Sequence, residues 1–389
     1  MTSNGFIAVH VGAGHHSDSL KKKYQKLCRD ACKTGIENLK LGGRSLDAVV
    51  EATTVLEDSS LTNAGFGSNL TLKGDVECDA SVMDGNKLSF GAVGAVSGIK
   101  NPVSLAKRLC EHQSSKISYG RVPPSVLVGP GAQVWASEMG IATLPAEELI
   151  SSKARKIYHH YKRKLDDQVS EVSASKISKR RMDTVGAVCV DAYGNVAAAC
   201  SSGGIILKYP GRVGQAGIWG CGVWAHNGAC SVASSTSGCG EHLIRTTLAR
   251  TIAEAVTGST DHVPRLHETM KSEFLESEFL DGLDSKLGGG LALRYSAGEA
   301  TGDLFWTHST NSMILGYMGS GDSVAKSYVS NLDDELVGKK VVVEGICFRL
   351  PLLNEEKEGD NKGRLLLVKL GSNFSSGEAV DESKEKLSR

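Results

Sequence analysis

Aromatic side chains are scarce in this chain, at 5% of 389 residues. Its core must therefore be built from small and aliphatic groups. Net charge is absent as well, with 44 Lys and Arg set against 44 Asp and Glu. That balance excludes a whole-protein field for holding nucleic acid or an acidic membrane, so any electrostatic partner must be met by a local patch. No apolar run approaches the ~18 residues of a membrane span. The opening MTSNGFIAVHVGAGHH lacks a basic region followed by a long apolar stretch and does not read as a signal peptide. The ten cysteines form no CxxC and no Cys/His cluster with zinc spacing, so no metal and no organic cofactor is expected. Cys28 and Cys32, four apart on an expected helix, suit packing better than ligation. Reduced thiols in a soluble protein are the economical expectation.

Glycine is abundant, at 45 residues, and much of it falls inside short apolar runs. Closely stacked layers use glycine in that way; linkers do not. Phe6 to Val11 reads as a strand entering the turn Gly12-Ala13-Gly14. Apolar positions recur at three and four from Lys21 to Lys40, which predicts an amphipathic helix stopped by Gly42-Gly43. Ser45 caps a second helix to about Glu57. The segment from Val76 to Ile99 predicts two strands around Asp84-Gly85-Asn86, and shorter helices follow at Val103–Glu111 and Ala132–Met139. From Ser151 to Asp183 the chain turns polar, with ten Lys and Arg against four Asp and Glu, as expected of a flexible loop that can open with a helical start. Order returns at Thr184, with strands at Thr184–Val190 and Asn195–Cys200. Glycine-rich loops and a helix from Glu241 to about Ala255 come next. Further strands are predicted near 290–294, 304–307, 313–317 and 341–350. The tail after Asn354 is charged and Ser/Gly-rich and reads as disordered, with Leu365–Leu370 as one further edge strand. Strands and helices in both halves, without a βαβ alternation, predict an α+β layered fold.

An isolated threonine at the start of a strand is ordinarily a strand residue. Asp183-Thr184 sits differently, at the junction between a polar loop and an apolar strand. Cleavage before Thr184 frees an α-amine on the residue that also owns the hydroxyl. With a pKa of roughly 7.7–8.0, such an amine is partly neutral near pH 7 and serves as a tethered base. Downstream, Ser201-Ser202-Gly203-Gly204 places hydroxyls at a strand end. Pro210-Gly211-Arg212-Val213-Gly214-Gln215 offers an arginine in a glycine-lined loop, suited to bidentate capture of a carboxylate. Ser235-Thr236-Ser237-Gly238-Cys239-Gly240-Glu241 supplies a hydroxyl and N–H groups for an oxyanion hole.

The motifs HVGAG at 10–14, TNAGFGSNL at 62–70, ECDASVMDG at 77–85 and FGAVGAVSGIKNPVSLA at 90–106 stand in the first half. DTVGAV at 183–188, SSGG at 201–204, PGRVGQ at 210–215 and STSGCGEHL at 235–243 follow in the second. Together they resemble the type-2 asparaginase family of N-terminal-nucleophile (Ntn) hydrolases. The resemblance implies a four-layer αββα sandwich and self-cleavage between Asp183 and Thr184. It implies an α-subunit of residues 1–183 and a β-subunit of 184–389, together forming one domain, and pairing of two protomers. Thr184 matches the nucleophile, Ser202 a supporting hydroxyl, Ser237 with Gly238 the oxyanion pair, and Arg212 the substrate-carboxylate anchor. Gly240 adds a backbone contact.

One departure bears on substrate. Family members acting on free or glycosylated asparagine carry Asp where this chain has Gln215, and that Asp pairs with the substrate's α-ammonium. A peptide-embedded aspartate offers a neutral amide there, so an anionic partner would be desolvated without compensation. The resemblance, read with Gln215, therefore implies an endopeptidase that cuts after Asp, with Gly next. Its expected targets are Asp-Gly sites in chromatin or transcription regulators. Lys162-Arg163-Lys164 and Lys179-Arg180-Arg181 flank fourteen residues, in the spacing of a two-part nuclear-import signal read by an import receptor; a solvated charged loop is the plainer alternative. Two rival functions remain: an asparaginase or isoaspartyl-peptidase-like amidohydrolase on the same scaffold, and an inactive nuclear binding protein.

Overall fold

A computed structural model of the chain describes residues 4–168, 183–258 and 261–350. The first half runs β1 (Phe6–Gly14), α1 (Asp18–Lys40), α2 (Ser45–Glu57), β2 (Cys78–Asp84), β3 (Ser89–Val96), α3 (Pro102–His112), β4 (Val126–Val128), α4 (Gly129–Glu138) and α5 (Ser152–Gln168). The second half runs β5 (Val185–Val190), β6 (Val196–Ser202), β7 (Val223–His226), β8 (Ser231–Gly238), α6 (Gly240–Arg245), α7 (Leu248–Thr257), α8 (His262–Thr269), β9 (Gly288–Ser296), β10 (Thr301–His308), β11 (Ser312–Gly319), β12 (Lys326–Asn331) and β13 (Val342–Arg349). An eight-stranded sheet has the order β12-β11-β1-β5-β6-β2-β3-β4, and a five-stranded sheet the order β13-β10-β9-β8-β7.

The sheets stack face to face between two helical layers, giving the expected αββα sandwich. Strand alternation sorts the side chains. On β1, Ile7, Val9 and Val11 join the layer of α1, α2 and α3, while Phe6 and Ala8 face the second sheet. Leu248, Ile252 and Val256 of α7 cover the outer face of that second sheet against Ala292 and Phe305. Covered on both faces, β1 and β5 are buried along their whole length and read as near-continuous apolar runs. The scarcity of aromatics has its counterpart at the sheet interface. A β-carbon on Gly186 would stand 2.0 Å from Ser235 Oγ and 2.6 Å from His10 Nε2, so the two sheets approach where only glycine fits.

Three expectations are corrected. The span expected as glycine-rich loops contains β7 and β8. No apolar alternation marks SVASSTSG, because its hydroxyls bond to main chain instead: Ser234 Oγ to Ala249 O, Ser235 Oγ to Ala199 O and Thr236 Oγ1 to Cys221 O. The single helix expected over 241–255 is broken between α6 and α7, where Thr247 adopts φ +43°. The polar stretch from Ser151 opens with the helical start allowed for it and carries it through Gln168 as α5, a longer and better docked helix than a flexible loop implies, while residues 169–182 lie outside the described residues. Ser151 Oγ accepts the Ala154 N–H, Ala154 is buried, and Lys153 Nζ donates to Ser60 O and Leu61 O. The second basic cluster, the tail after Asn354 and Leu365–Leu370 lie outside the described residues.

Glu57, at the end of α2, is fully buried, and its Oε1 accepts from Ser201 Oγ at 2.6 Å and from the Val103 N–H at 3.0 Å. Burial outweighs these bonds and pushes its pKa up from 4.5 to about 8. The folded state therefore holds a proton that the unfolded state has lost, and stability falls as pH rises through that window. The full effect is on the order of a few kcal/mol. A Glu57→Gln variant is expected to flatten the decline of melting temperature between pH 5 and 8; an unchanged slope would contradict this assignment.

Candidate active site

Thr184 precedes β5 at the edge of the sandwich and is buried, with 3% of its surface exposed. Register places its partners. Val185 pairs with Ser201 and Ser202 pairs with Asp79, so the ends of β5, β6 and β2 meet. There Thr184 Oγ1 lies 2.9 Å from Ser202 Oγ, which in turn accepts the Gly204 N–H at 3.0 Å. The Gln215 Nε2 donates to Thr184 Oγ1 at 3.4 Å. On the other side of the Asp183–Thr184 bond, the Asp183 carbonyl accepts the Asn63 N–H at 3.3 Å. The Asp183 carboxyl lies 3.7 Å from His16 Nε2, and Nδ1 of that ring is 2.9 Å from Ser312 Oγ.

Ser237 and Gly238 belong to the same end of the molecule. His10 pairs with Gly186 across the sheet and reaches Ser235 Oγ at 3.0 Å. Three residues further along β1, the Ala13 N–H donates to Ser237 Oγ at 2.9 Å. Moving from His10 to Ala13 thus steps from Gly186 toward Thr184, just before β5, and from Ser235 to Ser237 on β8. Gly238 has φ +147°, and a β-carbon there would stand 2.6 Å from Gly288 Cα, which explains glycine at this turn. Burial holds His10 neutral, its pKa pushed down to about 3 against an opposing contact with the Thr184 backbone.

Arg212 stands beside this group in a cradle of glycines. A β-carbon on Gly240 would lie 2.6 Å from Arg212 Nη2 and 3.0 Å from Gln215 Oε1; one on Gly204 would lie 2.9 Å from Arg212 Nη1. A side chain at Gly240 would therefore have to displace the Arg212 guanidinium or the Gln215 amide. Beneath the loop, the buried Asp79 carboxylate accepts the Gly214 and Ala95 N–H groups, both at 2.8 Å. Burial raises its pKa, with Lys208 and these two N–H groups opposing. Lys208 is itself buried and donates to Glu77 O at 2.7 Å.

All seven residues singled out in the sequence for site roles after residue 183 therefore gather at this end of the sandwich: Thr184, Ser202 and Gln215 in direct contact, Arg212 and Gly240 against Gln215, and Ser237 with Gly238 across from β1. Asn63, His16, Asp79 and Glu241 were not singled out. Asn63, Asp79 and Glu241 stand inside quoted motifs, where polar residues among glycines and apolar strands carried a signal without a role. The arrangement offers a buried hydroxyl with one hydroxyl and one amide partner, set against a carbonyl already polarised by an N–H. That is the equipment of acyl transfer. In the continuous chain the Thr184 nitrogen is an amide; it becomes a base only once the bond to Asp183 is cut.

The family model described as Asparaginase matches residues 3–324. The chain belongs to the type-2 asparaginase family. Members of this family are Ntn-type amidohydrolases and peptidases, so the chain is a hydrolase of that class. An isoaspartyl peptidase/L-asparaginase of Mus musculus is 41% identical over 245 residues, covering 63% of this chain and 70% of its own length. A protein of the same name from Xenopus laevis is 35% identical over 309 residues, covering 79% of this chain and 90% of its own. An isoaspartyl peptidase of Salmonella typhimurium is 38% identical over 253 residues, 64% of this chain and 77% of that protein. The family match covers every site residue described above.

Proposed function

We propose that this family member is an autoprocessing threonine endopeptidase that cuts after aspartate, a threonine aspartase of the taspase type. In this reading Thr184 Oγ1 attacks the Asp183 carbonyl carbon, the Asp183–Thr184 C–N bond breaks, and the hydroxyl proton passes to the departing nitrogen. The resulting ester takes up water, which restores the Thr184 hydroxyl and leaves a carboxylate on Asp183. The Asn63 N–H, bonded to the scissile oxygen, stabilises charge as it develops there. In the mature site the freed α-amine of Thr184 accepts the hydroxyl proton, Arg212 holds the substrate Asp side chain, and Ser237 with Gly238 receives the oxyanion.

The observation that carries the substrate reading is Gln215. It is 2% exposed and donates to the nucleophile's hydroxyl. A free amino acid brings an ammonium that needs an anion in this buried position, and a neutral amide supplies none. The neighbouring carboxylates are committed elsewhere: Asp79 to two N–H groups and Glu241 to Arg212. The names of the relatives favour a second reading, an isoaspartyl peptidase or L-asparaginase activity. Turnover of an Asp-Gly peptide, a β-aspartyl dipeptide and L-asparagine by the processed protein separates the two. The Asp-Gly peptide is expected to be the preferred substrate, and Gln215→Asp to shift preference toward substrates with a free ammonium. Faster turnover of the β-aspartyl dipeptide by the unsubstituted protein would establish the second reading instead. A protein that stays uncleaved and turns over none of them would leave the binding-protein reading.

Nuclear targets and nuclear import belong to the same proposal. Lys162 to Lys164 lie on α5, where Lys162 forms an exposed ion pair with Asp166 at 2.7 Å. Import through an importin-type receptor would bring the enzyme to Asp-Gly sites in chromatin and transcription regulators, acting as a pair of protomers.

A further inference from the structure

Arg212 already holds a carboxylate. Its Nε donates to Glu241 Oε1 at 2.9 Å and its Nη2 to Glu241 Oε2 at 2.8 Å. This two-point fork is the geometry that an aspartate side chain from a substrate would demand of the same guanidinium. Nη1 occupies the room that Gly204 and Gly214 leave, 2.9 Å and 2.8 Å from where their β-carbons would stand. Glu241 takes the Nε–Nη2 edge, the edge that also borders Gly240.

We propose that Glu241 is a specificity-determining residue that acts as a built-in competitor, occupying the carboxylate anchor until a substrate aspartate displaces it. The proposal rests on the reading of Arg212 as the substrate anchor. The two partners differ in a way that permits the exchange. The Arg212 side chain is 14% exposed and walled by glycines, whereas the Glu241 side chain is 48% exposed at the first turn of α6. Glu241 can swing into water and be hydrated there, while Arg212 keeps its place and its charge needs a new partner. A ligand without a carboxylate at the right reach cannot make that substitution and leaves the pair closed. Glu241 thereby raises the threshold for every substrate and favours those that offer a full bidentate replacement.

Processed full-length protein, assayed at steady state with an Asp-Gly peptide and with succinate as a competing dicarboxylate, tests this. Glu241→Gln keeps the size of the side chain and removes its charge. It is expected to lower KM about three- to tenfold with kcat little changed, and to tighten succinate inhibition by the same factor. Glu241→Asp, one methylene short of the fork, is expected to fall between the two. Appearance of both fragments on a denaturing gel confirms that each variant is folded. A higher KM in Glu241→Gln, or an unchanged KM and succinate constant, overturns the proposal, because Glu241 would then orient Arg212 or stand apart from binding. Failure of the underlying reading looks different: Arg212→Ala would retain its KM for the peptide.

Discussion

Thr184→Ala is expected to run as one uncleaved chain of 389 residues and to hydrolyse no peptide. The substitution removes the Oγ1 that bonds to Ser202 and receives Gln215, and leaves a methyl group in the same buried space. Neither neighbour replaces it. Ser202 Oγ is tied to the Gly204 N–H, and Gln215 carries no nucleophile. Both reactions fail together because the same oxygen serves both, and the base for the second is released only by the first. The loss in turnover should reach about 10⁴-fold or more, the scale seen when a hydrolase loses its nucleophile. The fold should survive, since the change costs one buried hydroxyl with its bonds and one γ-methyl, about 2–3 kcal/mol. A gel and a peptide assay on one preparation check both halves of the prediction.

Arg212→Ala is expected to separate the two cleavages. In the intact chain the Asp183 carboxyl lies by His16 at 3.7 Å, whereas the guanidinium of Arg212 holds Glu241. Self-cleavage should therefore proceed without Arg212. Cleavage of a substrate should not, because its aspartate loses a charged bidentate partner. Removing one side of such a pair costs roughly 2–5 kcal/mol, so kcat/KM should fall on the order of 10²- to 10³-fold, mostly through KM. Arg212→Lys restores charge without the fork and should recover only part of the loss. The remaining carboxylate is not stranded, because Glu241 is half exposed and rehydrates. If Arg212→Ala blocks self-cleavage as well, the carboxylate of Asp183 and that of the substrate share one anchor, and the separation is wrong.

Much of the fold was legible because its strands are buried on both faces. Phe6 to Val11 is apolar but for His10, Val185 to Val190 is apolar throughout, and a chain writes such strands plainly. β8 was not legible. Its serines and threonine satisfy themselves on the main chain of neighbouring strands and a helix, which no local pattern announces. The docking of α5 was hidden for a related reason: its exposed face is basic, and its seat depends on Lys153 reaching carbonyls 92 and 93 residues away. The site shows the same division. Thr184, Ser202, Arg212 and Gln215 carry chemistry that residue type and order suggest. The role of Asn63 is carried by its backbone N–H, and that of Asp79 by two backbone partners, one on β3 and one in the Arg212 loop. Such roles depend on where the chain folds back, and residue identity does not encode them.

N-terminal sequencing of the C-terminal fragment in the purified protein tests the account at its root. The polypeptide that ends the chain should begin Thr-Val-Gly-Ala, with position 184 bearing a free amine and its partner fragment ending at Asp183. An active preparation whose only N-terminus is that of the intact chain, or whose second N-terminus falls at another residue, would contradict it.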